Sequence, residues 1–154
     1  IYDYTLHDRR TFARNLDIRT GPRLPPEFVG SPAGRFLIVG EQVGNGPHDL
    51  AFHSMAGSAG FLNQCLWDAG YAEPELMFTN ARAKGSEERN LRWVQHMKPE
   101  VRVITLGQVA DELCTRQGIT HAAAPHPQWI RRFHSKERGK YIDLLSKYHQ
   151  EGLR

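Results

Sequence analysis

The chain has 154 residues, 40% of them apolar, with 20 Lys and Arg against 17 Asp and Glu for a net charge of +3. That length supplies one domain with a real core and falls short of two ordinary ones, so a single domain over 1–154 is expected, an arm over 1–34 and a body over 35–154. The small basic excess excludes the saturated charge of a disordered nucleic-acid tail and favours acidic partners only through local placement. No apolar run reaches the roughly 18 to 20 residues of a membrane span and no signal segment opens the chain, so no membrane partner is expected. The expectation is an intracellular monomer, cytoplasmic or nucleoid-associated. Cys65 and Cys114 each lie in an apolar, helix-patterned stretch and read as core thiols, not as a disulfide or metal pair.

In chain order, Tyr2, Tyr4, Phe12 and Leu16 precede the proline and glycine cluster TGPRLPPEFVGSPAG, which predicts a short leading helix and an irregular arm. RFLIVG is a continuous apolar strand. GSAGFLNQCLWDAG has Phe61, Leu62, Cys65, Leu66 and Ala69 at helical spacing and stops at Gly70. ELMFTN is a second strand, and SEERNLRWVQHMK predicts a helix with Ser86 as N-cap and Leu91, Val94 and Met97 on one face, ended by Pro99. VRVITLG makes a third strand, QVADELCTRQG a helix with Val109, Leu113 and Cys114 inward, ITHAAA a fourth strand, and RGKYIDLLSKYHQ a closing helix. Strands alternating with helices predict a three-layer α/β/α domain with a mostly parallel four-stranded sheet.

Ligands of open parallel sheets bind beyond the carboxyl ends of the strands, where loops converge. Glu41 sits just past the first strand, Asn80 at the end of the second and His126 just past the fourth. The loop EQVGNGPHD lacks the Gly-Lys-Ser/Thr of a nucleotide P-loop and the third glycine of a dinucleotide fingerprint. His48 and His53, or His121 and His126, are five apart and match no helical or zinc-finger pair, so neither a metal nor a cofactor is expected. Taken singly, each site residue has a plainer reading: Glu41 as a solvated loop carboxylate, Asn80 as a turn cap, His126 as part of a rigid loop. Convergence from three strands favours a site.

Further on, WIRRFHSKERGK holds Arg131, Arg132, Lys136, Arg138 and Lys140 against Glu137 alone, interleaved with Trp129, Ile130 and Phe133. Such a loop suits gripping a phosphate backbone while an apolar group enters the base stack, although a core-anchored tryptophan beside a solvated turn would share the pattern. Arg82, Lys84, Arg89 and Arg92 form a second, less focused basic group among Glu87 and Glu88.

The blocks LIVGEQVG, MAGSAGFLNQCL, FTNAR, VITLGQVA and PHPQWIRR, in that order over about residues 35 to 133, resemble the uracil-DNA glycosylase superfamily, especially the branch whose first motif reads Gly-Glu-Ala-Pro-Gly. The resemblance implies a monofunctional DNA glycosylase, a hydrolase of DNA repair that flips uracil or a modified pyrimidine and cuts its N-glycosidic bond without a cofactor. By position it implies that Glu41 activates water, Asn80 reads the base edge and His126 serves the leaving group. Phe52 or Met55 would stack on the base, and Gln42 occupies the place where a related branch carries aspartate. DNA, single- or double-stranded, would meet Trp129, Ile130, Arg131, Arg132, Lys136 and Arg82, with Trp129 and Ile130 as the wedge.

The chemistry fits these roles, because a carboxylate stabilises the charge developing on the sugar and a donor stabilises the departing base. An amide offers a donor and an acceptor on one plane, matching the imide edge of uracil. The chain departs from the branch in having Gln42 and Val43 for alanine and proline and in lacking its iron–sulfur cysteines. Small residues at Ala56, Gly57 and Ala123 would give room for a modified base. The rival expectation is a glycosylase-fold module that binds DNA or a nucleobase without cutting.

Overall fold

Phe36, Leu37, Ile38 and Val39 are consecutive apolar residues, a pattern that only a strand covered on both faces can bury. In the computed structural model, which describes residues 29–30, 34–42, 57–82, 87–97 and 99–152, all four are buried within β2 (Phe36–Gln42). The other strands are β1 (Val29–Gly30), β3 (Leu76–Arg82), β4 (Arg102–Leu106) and β5 (His121–Ala124). They form one sheet in the order β1-β3-β2-β4-β5. β2 to β5 are mutually parallel, and β1, inside the segment expected to be irregular, adds a two-residue antiparallel edge to β3. The helices are α1 (Gly57–Asp68), α2 (Trp93–Met97), α3 (Gln108–Arg116), α4 (Pro127–Phe133) and α5 (Arg138–Gly152).

Alternation along the strands builds two separate cores. Phe36, Ile38, Phe78, Ile104 and Ala124 pack with Leu62, Cys65 and Leu66 of α1, Ile130 of α4 and Tyr141 and Leu145 of α5. Leu37, Val39, Met77 and Val103 pack on the other face with Val94 of α2 and Leu113 and Cys114 of α3. The fold is therefore the three-layer α/β/α arrangement around a parallel four-stranded sheet. Each cysteine is buried, one in each core; burial, with Asp111 adding to it, pushes Cys114 up to about 12.

The chain winds from β2 to β3 on one side and then crosses to β4 on the other. Crossovers of one hand then require opposite faces, which is where α1 and the pair α2 and α3 lie. The reversal opens a crevice at the carboxyl ends of β2 and β4.

Two segments differ from their expected form. The helix expected over 86–98 is confined to the five residues Trp93–Met97. Before it the backbone is extended, because the Arg89 N–H donates to the Ala81 carbonyl at 2.9 Å and the Glu88 backbone pairs antiparallel with that of Arg82. The Gln117 side chain then holds the strand-like segment at both ends, accepting from the Leu91 N–H and donating to the Arg89 carbonyl, each at 2.8 Å. The Asn90 side-chain Oδ1 accepts from the Arg92 N–H at 3.0 Å, a local turn just ahead of the helix; Ser86, the expected cap, lies outside the described residues. Residues 129–140, expected as a loop, are instead helical through α4, a 3-10 turn at Ser135–Glu137 and the start of α5.

Candidate functional site

The carboxyl edge is built outward from His126. It is extended (φ −65°, ψ 135°) and stands as N-cap of α4, with Pro127 pre-set for the first helical turn. Its Nδ1 accepts from the Gln128 N–H at 3.1 Å. A nitrogen that accepts carries no proton, so the neutral ring bears its hydrogen on Nε2 and presents a donor there. Burial holds the His126 pKa below its ordinary value, and the Glu41 carboxylate pulls it partly back up. Neutral imidazole is thus the form present at neutral pH.

Two residues absent from the sequence-based assignment hold His126 in place. Gly107, at the end of β4, has φ +91° and ψ 173°, a conformation reserved for glycine; a Cβ there would stand 3.1 Å from the His126 Cβ. The Gly107 N–H donates to the Ala124 carbonyl at 2.8 Å, closing the strand ends together. The Tyr141 hydroxyl of α5 donates to the Pro125 carbonyl at 2.9 Å, beside His126. The glycine ending VITLG was a legible signal; nothing in RGKYIDLL marked the tyrosine.

Asn80 lies in β3, opposite Gly40 in the parallel register, so no β2 side chain stands beside it. It is 5% exposed, and its Oδ1 is buried with no hydrogen-bond partner among the described residues. Leaving a buried acceptor unmet costs about 1–3 kcal/mol.

Glu41 is exposed and lies inside β2, not past its end: both β2 and β3 run two residues further than their apolar runs, with Gln42 in register with Arg82. By alternation Glu41 sits on the side of Leu37 and Val39, opposite Ala81 of the α2 and α3 core, whereas Asn80 sits on the side of Leu76 and Phe78. The carboxylate and the amide therefore share one edge and leave opposite faces. From β3 to β5 is three strand steps, roughly 14 Å at the usual spacing, a gap that Asn80 and His126 do not close by direct contact. Glu41 and His126 are brought within electrostatic reach of each other; Phe52 and Met55 lie outside the described residues.

The polymer-facing assignments divide. Ile130 is 3% exposed and belongs to the core beneath α4, so it cannot enter a base stack; a seven-residue helix, where a loop was expected, turns it inward beside Pro127. Trp129 is 45% exposed, and Phe133, which the sequence reading did not single out as a wedge, is 71% exposed. Arg131, Arg132 and Lys136 are exposed and Arg82 is half-buried. Arg138 is engaged by Asp68 at 2.6 Å, and Arg89 is buried with its guanidinium donating to the Thr79 hydroxyl at 3.1 Å.

A cleft of about 370 Å³ lies at the other end of the sheet, beside Val94, Pro99, Val101, Val103 and Ile119. None of its lining residues titrates, so it offers no acid–base chemistry. Among the described residues no His, Cys, Asp and Glu group of three or more could hold a metal, and no helix is long and apolar enough to cross a membrane. No protein-family model matches the chain and no curated protein matches it, so the likeness to the uracil-DNA glycosylase superfamily rests on the quoted blocks alone.

Proposed function

We propose that the chain binds DNA along α4, receives one everted pyrimidine-type base at the carboxyl edge of the sheet, and hydrolyses its bond to deoxyribose. The observation that carries this reading is the Asn80 Oδ1, a buried acceptor that meets no donor among the described residues. An imide N–H supplies the missing hydrogen, which uracil-like bases carry at that edge and cytosine does not.

In the proposed reaction a water adds to C1′ as the bond from C1′ to the base nitrogen breaks, and the electron pair leaves with the base. Glu41 takes the proton of the attacking water. The Nε2–H of His126 donates to the base oxygen on which negative charge gathers, a stabilisation worth about 2–4 kcal/mol at such sites. Extrusion of the base costs a few kcal/mol, offset by contacts to the strand. The test is incubation with end-labelled oligonucleotides carrying uracil or other altered pyrimidines, then alkali to break abasic sites. Release from at least one substrate is expected; none across a broad panel sinks the hydrolase.

One observation favours a second reading, recognition of a base without cleavage. Glu41 leaves the sheet on the face opposite Asn80, the less direct position for a base that must reach the sugar of the nucleotide that Asn80 holds. Retained binding with no release from any substrate would select this alternative.

A further inference from the structure

We infer that the outer face of α4 is a stacking platform for an extended single strand of DNA, so that the substrate class is unpaired or locally melted DNA in preference to intact duplex. This rests on the DNA reading above for the identity of the polymer, and on separate residues for its strandedness.

Trp129 and Phe133 are the large apolar residues exposed among the described residues, at 45% and 71%. They are four apart on one helix and so lie on the same face, one turn from each other, while Ile130 and Pro127 turn to the core. Scattered exposed apolar residues need no explanation, but two aromatics side by side do. The Trp129 ring rests on the His134 imidazole with centroids 3.8 Å apart, which fixes it from one side.

Charge identifies the occupant. Arg131, Arg132, Lys136 and Lys140 surround the pair, all exposed and with no ion pair among the described residues. Glu137 is the one carboxylate in the stretch, and it lies 3.9 Å from His134. An apolar protein partner gains nothing from four exposed cations, whereas a polyanion with flat apolar faces uses both features. In a duplex those faces are already covered by neighbouring bases. One helical turn separates the rings by about 5.4 Å along the axis, more than the 3.4 Å per nucleotide of a stacked strand. One base on each ring therefore requires a strand drawn out of its stack.

The test uses the full chain, a 12-nucleotide oligothymidylate that offers no altered base, and the same strand annealed to its complement, with binding read by fluorescence anisotropy. Single-strand affinity at least tenfold above duplex affinity is expected. Trp129→Leu and Phe133→Leu should each weaken the single strand by about 5- to 100-fold, leave duplex affinity within twofold, and leave the thermal midpoint unchanged. Trp129→Phe should retain most of the affinity, because a ring remains. Equal losses for both DNA forms, an unchanged single-strand affinity in the double Leu variant, or concentration-dependent self-association abolished by the same substitutions would each overturn the platform. Base release measured on the same proteins separates the two readings: stacking without release sinks the hydrolase alone, and release without stacking sinks the platform alone.

Discussion

Asn80 holds an acceptor that no donor meets among the described residues, so the residue proposed to read a base is expected to oppose folding. Replacing it with the similarly sized apolar leucine should raise stability by about 1 kcal/mol in chemical denaturation and lower base release at least about 100-fold. A loss of stability on that change would mean the amide has a structural partner after all. His126 gives a pH signature. Its folded pKa lies below the ordinary value near 6.5 because it is buried, so the unfolded chain takes up the proton first. Its contribution to stability is full above about pH 6.5 and is lost as the pH falls towards the folded value. Glu41 opposes the depression, so Glu41→Gln should lower the His126 pKa further, followed by NMR titration of the ring, and should stop base release while DNA affinity stays within about twofold. An unmoved titration would separate the two residues. Glu41, Asn80 and His126 could be nominated because apolar runs mark roughly where strands lie, although β2 runs on past Glu41. Gly107 and Tyr141 were not, because they act on His126 through backbone shape and one carbonyl, which leave no spacing in the sequence.

Among the elements, α4 shows where a sequence pattern misleads. A tryptophan, an isoleucine and two arginines in a row suggest an irregular basic loop, yet His126 and Pro127 start a helix, and the helix sorts neighbours by direction. Ile130 goes in and Trp129 goes out. Ile130→Ala is accordingly expected to cost about 2–5 kcal/mol in denaturant titration, the behaviour of a core residue. Arg131→Ala with Arg132→Ala should leave the denaturation midpoint alone and flatten the plot of log affinity against log salt by about 0.7 per lost contact on a single strand. If Ile130→Ala is silent in stability, the helix is not seated as described. The segment before α2 misled for a related reason: SEERNL has helix-compatible residues, but the backbone of Arg89 and Leu91 is claimed by Ala81 and Gln117, partners far away in sequence. Strand interiors were easy to read. The last two residues of β2, Glu41 and Gln42, were not, because they are polar and continue the strand beyond its apolar run.

At the scale of the molecule, the alternation of strands and helices was enough to give the layer architecture, whereas the strand order, which leaves no pattern in the sequence, places the crevice where β2 and β4 part company in winding. α5 then closes the far side, with hydroxyl donations from Tyr71 to Leu145, from Tyr141 to Pro125 and from Tyr148 to Ala123 at 2.8, 2.9 and 2.6 Å. Tyr141 is deeply buried and its pKa is raised by that burial, so it remains a phenol and a donor throughout the accessible pH range. Tyr141→Phe should cost about 1–3 kcal/mol, because the Pro125 carbonyl loses its donor, and should lower base release more than an equally destabilising change in the α2 and α3 layer. Equal release in the two would make the hydroxyl a mere tie.

The doubly covered β2 carries a last implication. Since FLIV offers an apolar side chain to both cores, neither oil layer discriminates strongly between its odd and its even members. Only the count of residues decides which way the carboxylate points. Deleting one residue from the strand, or adding one, would carry Glu41 across to the amide's side while the interior stayed greasy throughout. On the proposed function, a frame-shift of a single position is thus the smallest edit that would exchange recognition of a base for its excision.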